Sequence, residues 1–173
     1  KYLVEELANR AERVRNKMID SKLDNMLKIT NDGRKLALDQ RLMNGMLDDF
    51  EKSKVSTCAN NIYDIWNKTK ENKSAQLVFC DLSTPHNNGE FNVYDDLKDK
   101  LIERGVPKEE IAFIHEANTD VRKQELFNKV RKGQVRVLME STKKMGAGTN
   151  CQDRLIALHD LDCPWRPSDL IQR

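Results

Sequence analysis

The chain has 173 residues, enough for one domain or for one domain with a helical appendage. Hydrophobic residues make up 38% of it and charged residues 34%, and no apolar run approaches the ~20 residues that are needed to cross a bilayer. The net charge of +2 excludes a protein that is basic overall, so any surface for nucleic acid has to be local.

The cysteines carry little chemical information. Cys58, Cys80, Cys151 and Cys163 form no C-x-x-C pair, so neither a zinc site nor a redox motif is indicated, and no metal ligands are predicted. We interpret them as reduced thiols, which predicts a cytoplasmic protein. The N-terminus lacks the apolar core of a signal peptide. Because the chain begins at Lys1 and stops at Arg173 within a predicted helix, we expect an excised fragment.

Residues 1–52 are predicted to form a helical extension. Apolar side chains recur at steps of three and four among charged ones, at Leu3, Leu7, Ala11, Val14 and Met18. This spacing predicts one long amphipathic helix. Asn31-Asp32-Gly33 then predicts a turn, and residues 36–47 fit either a strand or a helix.

Residues 53–173 alternate between helix and strand patterns. Predicted helices cover residues 53–70, 93–104 and 119–132, and predicted strands cover residues 76–80, 111–115, 135–139 and 155–161. Ser53 and Thr119 are expected to cap helix N-termini, and Gly105 and Gly133 to end helices. This alternation predicts an α/β fold with a mostly parallel sheet that is covered by helices on both faces.

Ligands of such a sheet bind at the carboxyl ends of its strands. The loops after Cys80, Met139 and Leu161 should meet there. Gly146 and Gly148 lie in the second of these loops, where the absence of a Cβ lets backbone N–H groups approach an anionic oxygen. Thr149 and Asn150 add side-chain donors at the same place, although glycines so spaced also fit a simple tight turn.

Positive charge is concentrated in residues 119–148, which hold eight Lys or Arg residues against three acidic ones. The lysines of the predicted helix equally fit a solvated helix face. Lys143 and Lys144, beside the glycines, are the better candidates for phosphate contact. His115 ends a predicted strand with no second His or Cys nearby, so we expect a structural histidine whose hydrogen bonds are satisfied.

The order of motifs resembles that of superfamily 2 helicases. Gly146-Ala147-Gly148-Thr149-Asn150, then a strand, then Asp162-x-Pro164-Trp165-x-Pro167 and Gln172-Arg173, resembles motif V and the start of motif VI. The form with tryptophan and proline is similar to the Swi/Snf-like DNA translocases, in particular to the helicase part of helicase and DNA methyltransferase proteins of bacterial mobile elements and phages. The stretch QLVFCDLSTP at residues 76–85 resembles motif IV.

This resemblance implies a RecA-like lobe, the second of two lobes that sandwich ATP and hold one strand of a DNA duplex. The implied ATP-binding residues are Gly146, Gly148, Thr149, Asn150, Asp162, Gln172 and Arg173. The implied DNA-binding residues are Ser83, Thr84, Lys143, Lys144, Thr149 and Trp165. Residues 1–52 would belong to the connection between the lobes, and residues 53–173 would form the lobe itself, truncated within motif VI.

The resemblance further implies ATP and Mg²⁺ as cofactors of the complete two-lobe protein. Its implied partners are the DNA backbone and the first lobe, and no membrane is implied. The sequence has no Gly-x-x-x-x-Gly-Lys-Ser/Thr loop and no acidic Mg²⁺ motif after a strand, so no catalytic set is complete in it. We therefore expect no ATP hydrolysis by the chain alone. The alternative is a self-contained Rossmann-like module that binds a nucleotide or a protein partner.

Overall fold

The computed structural model describes residues 1–86, 88–145 and 151–171. The chain divides into two compact units, Lys1–Asp49 and Phe50–Arg173. Among the described helices, none is both long and apolar enough to cross a membrane.

The first unit is a pair of helices, α1 (Tyr2–Arg15) and α2 (Met26–Leu38), which pack against each other. The Arg10 guanidinium joins them: its Nε lies 2.7 Å from Asp24 Oδ2 and its Nη1 lies 2.8 Å from Asp32 Oδ2. The hydrogen bond from Arg10 is the main reason that the pKa of Asp24 lies below its usual value.

The turn expected at residues 31–33 is wrong, because these residues lie inside α2. Asn25 caps this helix by accepting a hydrogen bond from the Lys28 N–H at 3.0 Å. Packing against α1 then overrides the local preference of Asn31-Asp32-Gly33 for a turn. A Cβ on Gly33 would lie 3.9 Å from Leu7 Cδ1, which is ordinary contact, so the glycine does not mark a break.

The second unit holds the sheet. Its strands are β1 (Ala75–Phe79), β2 (Ile111–Phe113), β3 (Val137–Glu140) and β4 (Leu155–Asp160). Its helices are α3 (Lys54–Lys68), α4 (Val93–Glu103), α5 (Asp120–Arg131), α6 (Thr142–Met145) and α7 (Pro167–Ile171). The predicted caps are confirmed: Ser53 and Thr119 accept hydrogen bonds at the starts of α3 and α5, and Gly105 and Gly133 have positive φ.

The described strands form one four-stranded sheet in the order β2-β3-β1-β4, and all pairs are parallel. In the centre of the sheet, Leu77 lies opposite Leu138 on one side and Leu158 on the other. β2 is shorter than the predicted strand, because the chain turns into a 3-10 helix at Ile114–Glu116.

Helices cover both faces of this sheet. Phe127 and Val130 of α5 pack into the core formed with Leu77 and Phe79 on one face. On the other face, Gln76 donates from Nε2 to the Ile62 carbonyl of α3 at 2.9 Å. The predicted fold class is therefore confirmed: the chain has a RecA-like α/β fold with a parallel sheet and N-terminal helices.

Candidate functional site

The loops that follow β1, β3 and β4 are tied together at the carboxyl ends of the strands. Asp162, after β4, accepts hydrogen bonds at Oδ2 from the Asp81 N–H at 2.7 Å and the Leu82 N–H at 2.6 Å. Asp81, after β1, accepts the Thr142 N–H at 2.8 Å and the Thr142 hydroxyl at 2.7 Å. We call Asp81, Thr142 and Asp162 the carboxyl-edge network. It fixes the three loops relative to one another.

Asp162 and Ser83 are buried at this edge of the sheet and accept hydrogen bonds from backbone N–H groups. Asp162 is only 6% exposed, and its Oδ2 is occupied by backbone N–H groups of the loop after β1. Ser83 is 5% exposed and its hydroxyl accepts the Val93 N–H at the start of α4 at 2.9 Å. Both side chains therefore support loops in this structure. Thr84, which is partly exposed, is the hydroxyl of the pair that reaches the surface.

Lys143 and Lys144 are exposed on α6, directly after Thr142 of the network. The Lys144 N–H donates to the Ser141 carbonyl at 3.0 Å, which closes the tight turn after β3. The charge of Lys144 also contributes to lowering the pKa of His115. Two ammonium groups thus stand beside the loops that the network holds in place.

The end of β3 contains a group that the sequence did not single out, the Glu140 carboxyl. Its residue is fully buried, and neither carboxyl oxygen has a hydrogen-bond partner within the described part of the chain. Burial raises the pKa of Glu140 to about 8. The Tyr94 hydroxyl lies 2.6 Å from the Glu140 carbonyl oxygen and 2.7 Å from the Cys80 carbonyl oxygen, so it bridges the ends of β3 and β1.

His115 lies against the same corner. Its ring meets the Tyr94 ring edge-on at 5.2 Å between centroids, and its Nε2 lies 3.4 Å from Ser141 Oγ. Burial lowers the pKa of His115, and the charges of Lys144 and His86 lower it further. The expectation of a satisfied histidine is wrong for Nδ1, which is buried without a partner among the described residues. Burial removes this nitrogen from solvent, and no described group supplies a hydrogen bond in its place.

The remaining predicted residues fall into two groups. Trp165 is 59% exposed, before the short helix α7. The others lie outside the described residues: Gly146, Gly148, Thr149, Asn150, Gln172 and Arg173. The structure thus brings Thr84, Lys143, Lys144 and Asp162 to one edge.

An open cleft of about 820 Å³ adjoins this edge, between the loop after β1 and the end of β2. Its lining includes His86 and His115, together with the carboxylates of Glu90, Asp95 and Glu116. Three carboxylates disfavour a phosphate in this cleft, since like charges repel. An anionic ligand would be better placed at Lys143 and Lys144.

The donor set gives no support for a metal site. Within residues 1–86, 88–145 and 151–171, no group of three or more His, Cys, Asp or Glu side chains could hold a metal ion.

No protein-family model matches the chain, and no curated protein matches it.

Proposed function

We propose that this chain is the second motor lobe of an ATP-dependent DNA helicase or translocase and that it contributes part of the DNA-backbone track and part of the ATP site. The observation that supports the proposal is the carboxyl-edge network, which gathers the loops after β1, β3 and β4 beside two exposed lysines. In parallel α/β sheets, ligands bind at this edge.

The track would run past α6 and the loop after β1. Lys143 and Lys144 would pair with phosphate oxygens, and the Thr84 hydroxyl would donate to a neighbouring phosphate. Such contacts read no base, so binding should be indifferent to sequence and should weaken steeply as salt is added. Trp165 is exposed and would contribute an aromatic surface near the same strand ends.

ATP and Mg²⁺ would bind between this lobe and a first lobe that supplies the phosphate-binding lysine and the Mg²⁺ ligands. Gly146, Gly148, Thr149, Asn150, Gln172 and Arg173 would complete the ATP side from this chain. Asp162 would act indirectly, by holding the loop after β1. On this proposal the chain alone does not hydrolyse ATP.

The experiment is a DNA-binding titration of the chain by fluorescence anisotropy on two unrelated duplexes at several salt concentrations. Lys143→Ala/Lys144→Ala should weaken binding equally on both duplexes. It should also lower the slope of log affinity against log salt by about two, since each lysine releases about one counterion.

A matched control removes two exposed lysines from the opposite edge of the sheet. Lys108 precedes β2 and Lys132 precedes β3, so Lys108→Ala/Lys132→Ala changes the net charge equally at the amino ends of the strands. The control should keep the salt slope of the unmodified chain. Equal losses in both double variants would reject a track at the carboxyl edge. Strong preference for one duplex would indicate base readout and would reject a motor lobe.

A further inference from the structure

Glu140 has an ionisable side chain in surroundings that do not stabilise a charge. The residue is 0% exposed, and both carboxyl oxygens lack partners among the residues that the structure describes. It lies opposite Phe79 in the β1–β3 register, which places its side chain on the sheet face covered by α5. A buried polar group without a partner is rare in folded proteins and calls for a physical reason.

The groups around this carboxyl are neutral or apolar. Cys151 belongs to the core cluster on this face, and the Tyr94 hydroxyl lies at the Glu140 backbone carbonyl. A charge on Glu140 raises the pKa of both side chains. The α5 face contributes Phe127 and Val130, while Arg131 at its end acts on Cys151. Burial is the cause that raises the pKa of Glu140, with no offsetting cation among the described groups.

We propose that Glu140 is a positioning residue that forms a pH-dependent latch. In its neutral form the carboxyl stays between the sheet and α5 and holds the turn of residues 141–144 at the carboxyl edge. In its ionised form the side chain leaves this place and releases the turn. Its effect on DNA binding rests on the function proposed above, whereas the latch itself does not.

Glu140 lies two residues before Thr142 of the carboxyl-edge network, so the backbone couples the two. The Glu140 carbonyl accepts the Cys80 N–H at 3.0 Å and contacts the Tyr94 hydroxyl, and Thr142 donates twice to Asp81. Each of these bonds stabilises the folded state by only about 1 to 3 kcal/mol. A buried carboxylate without donors costs several kcal/mol, so ionisation outweighs any single one of them.

The other groups of this corner do not titrate in the same pH range. Burial, with smaller contributions from Lys144 and His86, lowers the pKa of His115 below its ordinary 6.5, so His115 is neutral at pH 7 and above. Burial raises the pKa of Cys151 to about 11 and raises that of Tyr94 well above its ordinary value. Of these four groups, Glu140 alone changes charge between pH 7 and pH 9.

Pulse-labelling hydrogen exchange tests the latch directly. Exchange in peptides covering residues 141–144, corrected for the intrinsic pH dependence of amide exchange, is compared at pH 7 and pH 9 in the unmodified chain, in Glu140→Gln and in Glu125→Gln. Glu125 is an exposed carboxylate on α5 and serves as the control. The unmodified chain and the control should lose about tenfold protection at pH 9, one unit above the pKa of Glu140. Glu140→Gln, which cannot ionise, should keep its protection.

Equal protection of the turn at both pH values in the unmodified chain would overturn the latch, as would a loss in Glu140→Gln that matches the unmodified chain. Comparing the unmodified chain at pH 7 and at pH 9 does not depend on the folding of any variant. A ¹³C NMR titration of its Glu140 carboxyl should have the same midpoint as the loss of exchange protection. DNA affinity measured in parallel should fall about tenfold from pH 7 to pH 9 in the unmodified chain and in Glu125→Gln, and should stay unchanged in Glu140→Gln. Absence of DNA binding at either pH would reject the motor lobe and leave the exchange result to decide the latch.

Discussion

Two buried carboxyl groups lie at the same edge of the sheet, one after β4 and one at the end of β3, and their surroundings are opposite. Asp162 accepts two backbone N–H groups of the loop after β1. Glu140 has no donor for either oxygen in the described residues. A carboxylate that accepts N–H groups is stable as an anion, whereas a carboxyl without donors is stable only when it is neutral.

The difference separates two ways of fixing a loop. The ends of β1 and β4 are joined by hydrogen bonds from two backbone N–H groups to the Asp162 carboxylate. The end of β3 depends on the protonation state of Glu140, whose pKa of about 8 lies close to neutral pH. Lys143 and Lys144 follow the end of β3. The exposed cations therefore lie in the loop whose position depends on the protonation state of Glu140.

The largest expected effect comes from removing the firmly bonded carboxylate. Asp162→Ala should lower the free energy of unfolding by about 3 kcal/mol. The substitution removes two hydrogen bonds to a carboxylate and leaves the Asp81 and Leu82 N–H groups without this acceptor. Asp162→Asn, which keeps one acceptor oxygen, should lose about half as much. Urea unfolding monitored by circular dichroism measures both values.

Asp153 provides the control for this change, since it is an exposed carboxylate shortly before β4. Asp153→Ala should change the free energy of unfolding by less than about 0.5 kcal/mol. If Asp162→Ala were no more destabilising than Asp153→Ala, the hydrogen bonds at the ends of β1 and β4 would not be what fixes these loops.

The sequence could predict the fold because its signals are local. Apolar periodicity, the caps at Ser53 and Thr119, and the glycines at Gly105 and Gly133 act within a few residues, and the elements that they predict are present. The exception was the Asn31-Asp32-Gly33 turn, where a contact between two helices decides the conformation. Tertiary packing of this kind cannot be read from a short window.

The site was predictable only in part, for a related reason. The sequence indicated that the loops after Cys80, Met139 and Leu161 would meet, since parallel strands end at one edge. It could not show that Asp81 bonds to Thr142, 61 residues away, because that pairing depends on β1 and β3 being neighbours. The isolation of Glu140 depends on which face its side chain takes and on what covers that face.

A smaller effect is expected from neutralising Glu140, and it appears as a dependence on pH. The pKa of Glu140 rises from an ordinary 4.5 to about 8 in the folded chain, so between these values the folded state holds a proton that the unfolded state has lost. Stability contributed by the neutral carboxyl is therefore complete below pH 4.5, falls as the pH rises towards 8 and changes little above it.

Glu140→Gln removes this dependence. From pH 6 to pH 8 the unmodified chain should lose about 2 kcal/mol of unfolding free energy relative to the variant, at a slope of at most about 1.4 kcal/mol per pH unit. Taking the difference between the two proteins cancels the titration of His115 and His159, which both retain. Parallel stability curves for the two proteins over this range would show that Glu140 ionises as an ordinary exposed carboxyl does.

The smallest effect should come from the link between the two regions, the Thr142 hydroxyl. It donates to Asp81 Oδ2 at 2.7 Å, while the Thr142 backbone N–H donates separately to Asp81 Oδ1 at 2.8 Å. Thr142→Val keeps the shape and the backbone bond and removes only the hydroxyl, so it should cost about 1 kcal/mol in urea unfolding. Thr142→Ser restores the donor and should recover most of that loss. Because the turn after β3 would then lack the hydroxyl bond to Asp81, Thr142→Val should also move the pH at which residues 141–144 lose exchange protection to a lower value. An unchanged midpoint in Thr142→Val would mean that the turn and the carboxyl-edge network are energetically independent, and that Glu140 acts on the turn without involving Asp81.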